Sequence, residues 1–249
     1  MTTQTFLRYL TVAALSAACV ATNAIAQDSS IFERVLVPVL VNNVPGAFGT
    51  LWSTELWYRN NSTRGVMIVP LAVSDFVPTI GRTEILPIGN FPIYAPGQIL
   101  FVSRDGGDEV QFDLRLFNRA DPRSKWGTKI PVVREREFRN VVNLINVPTN
   151  KEFRSALRVY GLREDAPMGE TVLVRIYSYD ERLLASAEMR LDGVPWYASI
   201  SSLADTFPEI RQTERVRVQI ESPTGNVKLW AFVSVTSNTT QDVSLVTPD

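Results

Sequence analysis

An alternating stretch at residues 52–59 limits what this chain can fold into more than any other feature. It reads Trp-Ser-Thr-Glu-Leu-Trp-Tyr-Arg, so one face of an extended backbone carries Trp52, Leu56 and Tyr58 and the other carries mostly polar side chains. A period of two that is rich in β-branched and aromatic residues is typical of a half-buried strand. We therefore predict a strand here whose apolar face lies in a hydrophobic core.

The same pattern returns in the second half of the chain. Phe153 corresponds there to Trp52 of the first half, with an offset of 101 residues. The residues from Phe153 read Phe-Arg-Ser-Ala-Leu-Arg-Val-Tyr-Gly, and Leu157 and Val159 take the apolar places. Other segments of the two halves match in the same order, and no stretch shows a sustained helical period of 3.6. The sequence therefore predicts an all-β fold, with two tandem Ig-like antiparallel β-sandwich domains related by internal duplication.

The N-terminal segment has the features of a secretory signal peptide. Arg8 supplies a positive charge, a short apolar run follows it, and Ala24-Ile25-Ala26 forms a small-x-small cleavage site. The run is shorter than the roughly 20 apolar residues that a membrane-spanning helix needs. We expect a signal peptide at residues 1–26, a first domain at 27–134 and a second domain at 135–249. The protein is then secreted or periplasmic and has no membrane span.

Composition excludes several classes of function. The sequence contains no histidine and a single cysteine, Cys19. A mature chain that begins at Gln27 therefore has neither an imidazole nor a thiol to act as general base or transition-metal ligand. A lipoprotein signal, which would make Cys19 the lipidated N-terminus, is the alternative. Loss of Arg8 from the 25 basic residues leaves 24 against 26 acidic ones, which argues against a nucleic-acid partner. We expect no cofactor and no metal.

Prolines, glycines and charges give more local expectations. The apolar runs that contain Pro38 and Pro70 are expected to form edge strands, since proline cannot donate to the ladder of a central strand. Gly107 and Gly225 lie where tight hairpins need positive φ. The charged run at residues 134–137 is expected to mark the boundary between the two domains.

Several short motifs carry a resemblance to a known group of proteins. They are Gly-Ala-Phe-Gly-Thr followed by Trp-x-Thr-x-Leu at residues 46–56, Trp126-Gly127-Thr128 with Pro131, Phe153-Arg154 with Leu157, and the run from Ser234 to Thr240. With these motifs the chain resembles a group of secreted, two-unit β proteins of soil bacteria whose function is uncharacterised. The resemblance implies a secreted accessory or surface module and supplies no catalytic residue.

Acidic side chains are the remaining candidates for catalysis. Two carboxylates can hydrolyse a glycosidic bond without histidine, and the candidate pairs are Glu55 with Glu84 and Asp75 with Asp113. Each of them is also explained as an outward-facing residue of a strand. Residues 105–109, Asp-Gly-Gly-Asp-Glu, offer oxygen ligands for Ca²⁺ but lack the spacing of a dedicated loop, and a hairpin turn explains them. We therefore expect that the protein is not an enzyme.

Aromatic side chains are the candidates for binding. Trp52 shares the apolar face and is expected in the core, whereas Trp57 lies between Glu55 and Arg59 on the polar face and is expected to be exposed. Exposed aromatic residues next to charges are typical of binding surfaces. The candidate binding surface comprises Trp57, Arg59, Trp126 and Trp196.

The leading hypothesis is a non-enzymatic secreted or cell-envelope protein that acts as a structural or protein-interaction module. The first alternative is a carbohydrate-binding module that uses exposed aromatics, and the second is a carboxylate-dependent glycoside hydrolase. The partner is expected to be a protein or a polysaccharide at the cell envelope.

Overall fold

The computed structural model describes residues 30–70, 75–86, 94–95, 97–121, 126–162, 169–193 and 196–248. The predictions for residues 1–26, with Arg8 and Cys19, lie outside these described residues. Within them the chain is all-β and forms several antiparallel sheets, as predicted. No helix among the described residues is long and apolar enough to cross a membrane.

Residues 30–134, the first half, form two main sheets. Their strands are β1 (Phe32–Val37), β2 (Leu40–Val41), β3 (Val44–Pro45), β4 (Leu51–Asn60), β5 (Ile68–Pro70), β6 (Thr83–Leu86), β7 (Tyr94–Ala95), β8 (Gln98–Ser103), β9 (Val110–Asn118), β10 (Thr128–Ile130) and β11 (Val133–Arg134). One sheet has the order β11-β1-β8-β5 and the other the order β10-β9-β4-β3, with β6 also paired to β4. β2 and β7 form a separate pair.

Residues 135–248, the second half, form two further sheets. Their strands are β12 (Val141–Pro148), β13 (Phe153–Leu162), β14 (Glu170–Tyr177), β15 (Leu183–Leu191), β16 (Trp196–Ile200), β17 (Arg215–Glu221), β18 (Lys228–Ser237) and β19 (Val243–Val246). The orders are β12-β17-β14-β15 and β16-β13-β18-β19. The series β19-β18-β13-β16 therefore corresponds to β10-β9-β4-β6, and β12-β17-β14 corresponds to β1-β8-β5.

The helical segments among the described residues are single turns. They are Ala47–Gly49, Arg104–Gly107, Glu135–Glu137, Leu203–Thr206 and Pro208–Ile210. Ser202 caps the turn at Leu203–Thr206, since its Oγ accepts the backbone N–H of Asp205 at 3.3 Å, which is the usual role of serine at a helix N-terminus.

The alternation predicted for the two matching segments is confirmed. Leu56 on β4 and Leu157 on β13 are both 0% exposed, and they lie in two different hydrophobic clusters, one centred on each half. Trp52 and Phe153 pack against the same two clusters. A register slip of one residue would turn these side chains outward, so burial of the apolar face fixes the register of both strands.

Pro38 does not lie in an edge strand, contrary to the prediction. It directly follows β1, which has β11 on one side and β8 on the other, and the chain continues as β2 opposite Tyr94–Ala95. Because proline has no N–H for the ladder, the apolar run is divided between two sheets at this residue. Pro70 ends β5 at the edge of its sheet, as predicted.

The predicted hairpins around Gly107 and Gly225 are wrong. β8 and β9 lie in different sheets, and so do β17 and β18, so each turn carries the chain from one sheet to the other. Both strands of each connection bury apolar side chains, and opposing sheets allow them to share one core. Positive φ occurs at Gly225 (69°) as expected, but at Gly106 (75°) rather than at Gly107.

Part of the sheet β16-β13-β18-β19 is buried on both faces. One face of β18 belongs to the second-half cluster, whereas Trp230 and Phe232 on its other face belong to the first-half cluster together with Tyr160. The Tyr160 ring centroid lies 6.1 Å from that of Trp230 and 6.4 Å from that of Phe232. Its hydroxyl donates a hydrogen bond to the backbone carbonyl of Pro38. The two halves therefore pack together through a buried aromatic group.

The charged run at residues 134–137 is bound tightly to the first half. Arg134 Nη1 lies 2.7 Å from Glu33 Oε2, and the two side chains are only 11% and 8% exposed. Arg134 Nη2 also donates to the backbone carbonyls of Gly107 and Val110, each at 2.9 Å. This arginine therefore satisfies a buried carboxylate and two carbonyls of a turn at once.

The next residue adds a second ion pair at the same junction. Glu135 Oε1 lies 2.6 Å from Arg34 Nη2, and Glu135 Oε2 accepts the backbone N–H of Arg34 at 3.1 Å. Burial opposes the ionised form of Glu135, but the hydrogen bonds and charge of Arg34 outweigh it and hold the pKa of Glu135 below its ordinary value. Farther along, Arg139 exchanges two backbone hydrogen bonds with Leu229 of β18. The junction is thereby tied to both halves.

Candidate functional site

The outer face of the sheet β10-β9-β4-β6 forms an open groove of about 1110 Å³. It is built by the strand positions that alternate with the buried ones, so the same parity that places Leu56 in the core places Trp57 outside. Trp57 is paired directly with Asp113 of β9 and with Ile85 of β6. The groove is therefore formed by four neighbouring strands of one sheet.

Neighbouring pairs extend this face along the strands. Arg59 stands opposite Gln111, and Glu55 stands opposite Arg115. Lys129 of β10 pairs with Arg115 on its other side. Side chains on paired strands lie close enough to interact directly and diagonally, so aromatic, basic and acidic groups alternate across the groove.

Ion pairs hold the groove floor. Arg115 Nε donates to Asp113 Oδ2 at 2.9 Å, and Lys129 Nζ lies 3.9 Å from Asp113 Oδ1. Arg119 Nη2 donates to Glu55 Oε1 at 2.5 Å. Hydrogen bonds between arginine and a carboxylate fix the orientation of both groups, so these side chains present a defined polar surface.

Trp126 is the most exposed large aromatic side chain of the groove. Its side chain is 80% exposed, yet the Arg115 guanidinium lies 5.6 Å from its ring centroid and Arg115 Nη1 donates to its backbone carbonyl at 3.0 Å. A cation against one face of the indole stabilises the ring and leaves much of its apolar surface in water.

Gly127 allows Trp126 to reach this position. Its φ is 61°, and a Cβ atom there would lie 2.5 Å from the carbonyl oxygen of Leu116 on β9. Glycine is the one residue that adopts this conformation at such close approach without strain. The Trp-Gly pair in the sequence therefore serves to lay the indole over the edge of the sheet.

Arg59 differs from the other basic residues of the groove. Its Nε donates to Asn61 Oδ1 at 2.7 Å and its Nη1 donates to Thr83 Oγ1 at 3.3 Å. Among the residues that the structure describes, no carboxylate forms an ion pair with it. It is an exposed, oriented guanidinium that donates to neutral oxygen atoms of the described part of the chain.

Three of the four predicted surface residues lie together. Trp57, Arg59 and Trp126 line the groove, although Trp57 is partly buried between its neighbours rather than fully exposed. Trp196 lies elsewhere, on β16, where it is partly buried and packs against the second-half cluster. Its apolar ring packs against the core. Residue type alone does not indicate that Trp196 lies apart from the other three predicted residues.

The candidate carboxylate pairs are separated. Glu55 and Asp113 are both in the groove, each hydrogen-bonded to an arginine, whereas Asp75 and Glu84 do not line it. Hydrogen bonds from Thr79 hold the pKa of Glu84 below its ordinary value. Glu84 also accepts from the Tyr58 hydroxyl at 3.1 Å, and burial, then this hydrogen bond, raises the pKa of Tyr58 to about 12.

The acidic turn considered for Ca²⁺ is occupied by ion pairs. Asp105 lies 2.7 Å from Arg64, and Asp108 lies 2.6 Å from Arg136. The hydrogen bond from Arg136 holds the pKa of Asp108 below its ordinary value. Within the described ranges no group of three or more Asp, Glu, His or Cys residues is placed to hold a metal ion.

Sequence reasoning did not single out Arg115, Arg119 or Lys129. The signal that could have found Arg115 is the polar alternation of β9, whose positions 111, 113 and 115 carry Gln, Asp and Arg. Comparisons with protein-family models, with curated proteins and with solved structures find no match for this chain. The function is therefore inferred from the groove itself.

Proposed function

We propose that this protein is a non-catalytic binding module of the cell envelope or the extracellular space, and that it engages its partner through the groove on the outer face of β10-β9-β4-β6. The observation that carries this proposal is Trp126, an indole that is 80% exposed and is held in place by Arg115 and Gly127. An exposed, oriented aromatic side chain costs stability in water and is typical of recognition surfaces.

The rest of the proposed organisation follows the repeat in the sequence. Two tandem Ig-like sandwich domains, at residues 27–134 and 135–249, would have arisen by duplication, and the matching strand orders of the two halves support this. A signal peptide at residues 1–26 would direct the chain to the periplasm or the exterior. The resemblance to secreted two-unit β proteins agrees with that location.

Binding is favoured over hydrolysis by the contacts of the groove carboxylates. A glycosidase uses two carboxyl groups that flank the scissile bond and act on it directly. Glu55 accepts a hydrogen bond from Arg119, and Asp113 accepts one from Arg115. Arginine side chains thus fix the orientation of both groups, which contribute to a defined polar surface.

A carbohydrate is the partner class that the groove supports best. Sugar rings present apolar C–H faces that pack on exposed indoles, and planar amide, carboxylate and guanidinium groups hydrogen-bond their hydroxyls. Trp57 and Trp126 supply the indoles, and Gln111, Asp113 and Arg115 supply the planar polar groups. An open groove also admits a chain of rings from either end.

A depletion assay tests this function. Wild-type protein is mixed with insoluble cellulose, chitin or xylan, and the protein left in solution is measured. Trp126→Ala should abolish depletion, whereas Tyr179→Ala, which removes an aromatic side chain that is 98% exposed in the second half, should leave it unchanged. Equal depletion of wild type and Trp126→Ala would place binding outside the groove. No depletion of wild type by any of these three polysaccharides would exclude them as partners.

A further inference from the structure

The groove carries more positive than negative charge, although the whole chain has a formal net charge of −1. Arg119 and Arg115 are paired with acids, but Arg59 has no acidic partner among the described residues, and Lys129 has only Asp113 at 3.9 Å with a side chain that is 66% exposed. Among the described residues, the basic ones that line the groove are Arg59, Arg115, Arg119 and Lys129, and the acidic ones are Glu55, Asp113 and Asp121. A negatively charged ligand would therefore be complementary to this face.

The guanidinium of Arg59 lies beside the indole of Trp57. Arg59 and Trp57 are two residues apart on the same face of β4, which places their Cβ atoms about 7 Å apart along the strand. Trp57 and Arg115 are diagonal neighbours on β4 and β9, about 7–8 Å apart, and Trp126 lies against Arg115. The order across the groove is thus cation, indole, cation and indole.

We infer that the groove binds an acidic oligosaccharide, with its sugar rings on Trp57 and Trp126 and a ring carboxylate on Arg59. A carboxylate fits the fork of a guanidinium, and the hydrogen bonds of Arg59 to Asn61 and Thr83 hold that fork in place before the ligand arrives. A polymer of uronic acids repeats a ring and a carboxylate at every unit. This inference rests on the proposed carbohydrate-binding function and narrows it to one class of sugar.

Isothermal titration with three matched ligands tests the inference. The ligands are oligogalacturonate, a neutral galactan oligosaccharide of the same length and a sulfated galactan oligosaccharide, all titrated at low salt. Wild-type protein should bind oligogalacturonate at least tenfold more tightly than the neutral sugar, and this preference should shrink as salt is added. Arg59→Gln should weaken oligogalacturonate binding about tenfold and weaken binding of the neutral sugar much less, so that the preference for the acidic sugar shrinks.

Two further variants complete the design. Arg154→Gln removes the same charge from an exposed position on β13 and should change neither affinity. Trp126→Ala should weaken binding of both the acidic and the neutral sugar, because it removes the stacking surface that they share. Circular dichroism establishes that each variant is folded.

The outcomes separate this inference from the proposed function. Equal affinity for the acidic and neutral sugars, lost in Trp126→Ala, would overturn the acidic inference while carbohydrate binding stands. Tight binding of the sulfated sugar without binding of oligogalacturonate would overturn the carboxylate assignment. An Arg154→Gln effect as large as that of Arg59→Gln would show a general charge effect and would overturn the role of Arg59. No heat with any sugar would overturn both the inference and the carbohydrate-binding function.

Discussion

Replacing Arg134 by alanine should destabilise the protein more than the loss of any exposed ion pair. The Arg134 and Glu33 side chains are 11% and 8% exposed and lie 2.7 Å apart, whereas Arg136 lies 4.0 Å from Glu33. Removal of one partner of a buried pair costs about 3–5 kcal/mol. The change also removes two hydrogen bonds to turn carbonyls. We therefore expect a loss near the upper end of that range.

Urea-induced unfolding, monitored by tryptophan fluorescence, measures this loss from the midpoint and slope of the transition. Arg136→Ala is the matched control. Arg136 pairs at 2.6 Å with Asp108, the two side chains are 59% and 67% exposed, and its distance from Glu33 is 4.0 Å. Exposed pairs of this kind contribute about 0.2–1 kcal/mol.

A double variant separates the two parts of the effect. Glu33→Leu combined with Arg134→Met should recover much of the stability, since no charge is then left buried alone. The remaining deficit should reflect the two turn carbonyls, about 1 kcal/mol each. Equal effects of Arg134→Ala and Arg136→Ala would contradict this prediction, and so would a double variant less stable than Arg134→Ala alone.

Three further predictions concern the cores and the junction. Leu56→Ala and Leu157→Ala should each lower the free energy of unfolding by about 2–5 kcal/mol in urea titrations, because both leucines are fully buried. Glu55→Ala is the control and should cost less than about 1 kcal/mol. Leucine variants that lose no more stability than this control would contradict the assigned register. Tyr160→Phe should lower the free energy of unfolding by about 1 kcal/mol, since the hydrogen bond to the Pro38 carbonyl is lost and the ring remains. If Tyr160→Ala lowers it by no more than this, aromatic packing between the halves is contradicted. Because the pKa of Glu135 is lowered in the folded protein, the stability difference between wild type and Glu135→Gln should be full above a pH of about 4.3 and shrink as the pH falls below it; a difference that grows toward low pH would refute this sign.

The candidate site was partly accessible to sequence reasoning. Trp57 and Arg59 were placed on the polar face of their strand by parity, which is a local property of the backbone. Trp126 was named for its residue type alone. Its contact with Arg115 depends on Gly127 and on the pairing of β9 with β10. Both strands are far from Trp57 in the chain, and only the sheet brings them beside it. Trp196 was named for the same reason as Trp126, and packing placed it against a core instead.

The strands, their buried faces and the repeat follow from the order of the residues alone. The alternation around Leu56 and Leu157 suffices, because successive side chains of a strand point to opposite faces and only one face of each is apolar. Proline likewise marked where a ladder could not continue, at Pro38 and Pro70, since a missing N–H is a property of the residue and not of its surroundings.

Which strands are neighbours depends on how the sheets pack together. The apolar side chains of a strand are buried equally well when the next strand in the chain lies beside it in one sheet or across the core in another. For this reason the sequence wrongly predicts hairpins at Gly107 and Gly225. The same holds for β18, where Trp230 and Phe232 follow an apolar pattern that leaves open which core each face enters. The alternation of apolar residues indicates that a face of a strand is buried. Which core buries that face depends on how the sheets assemble.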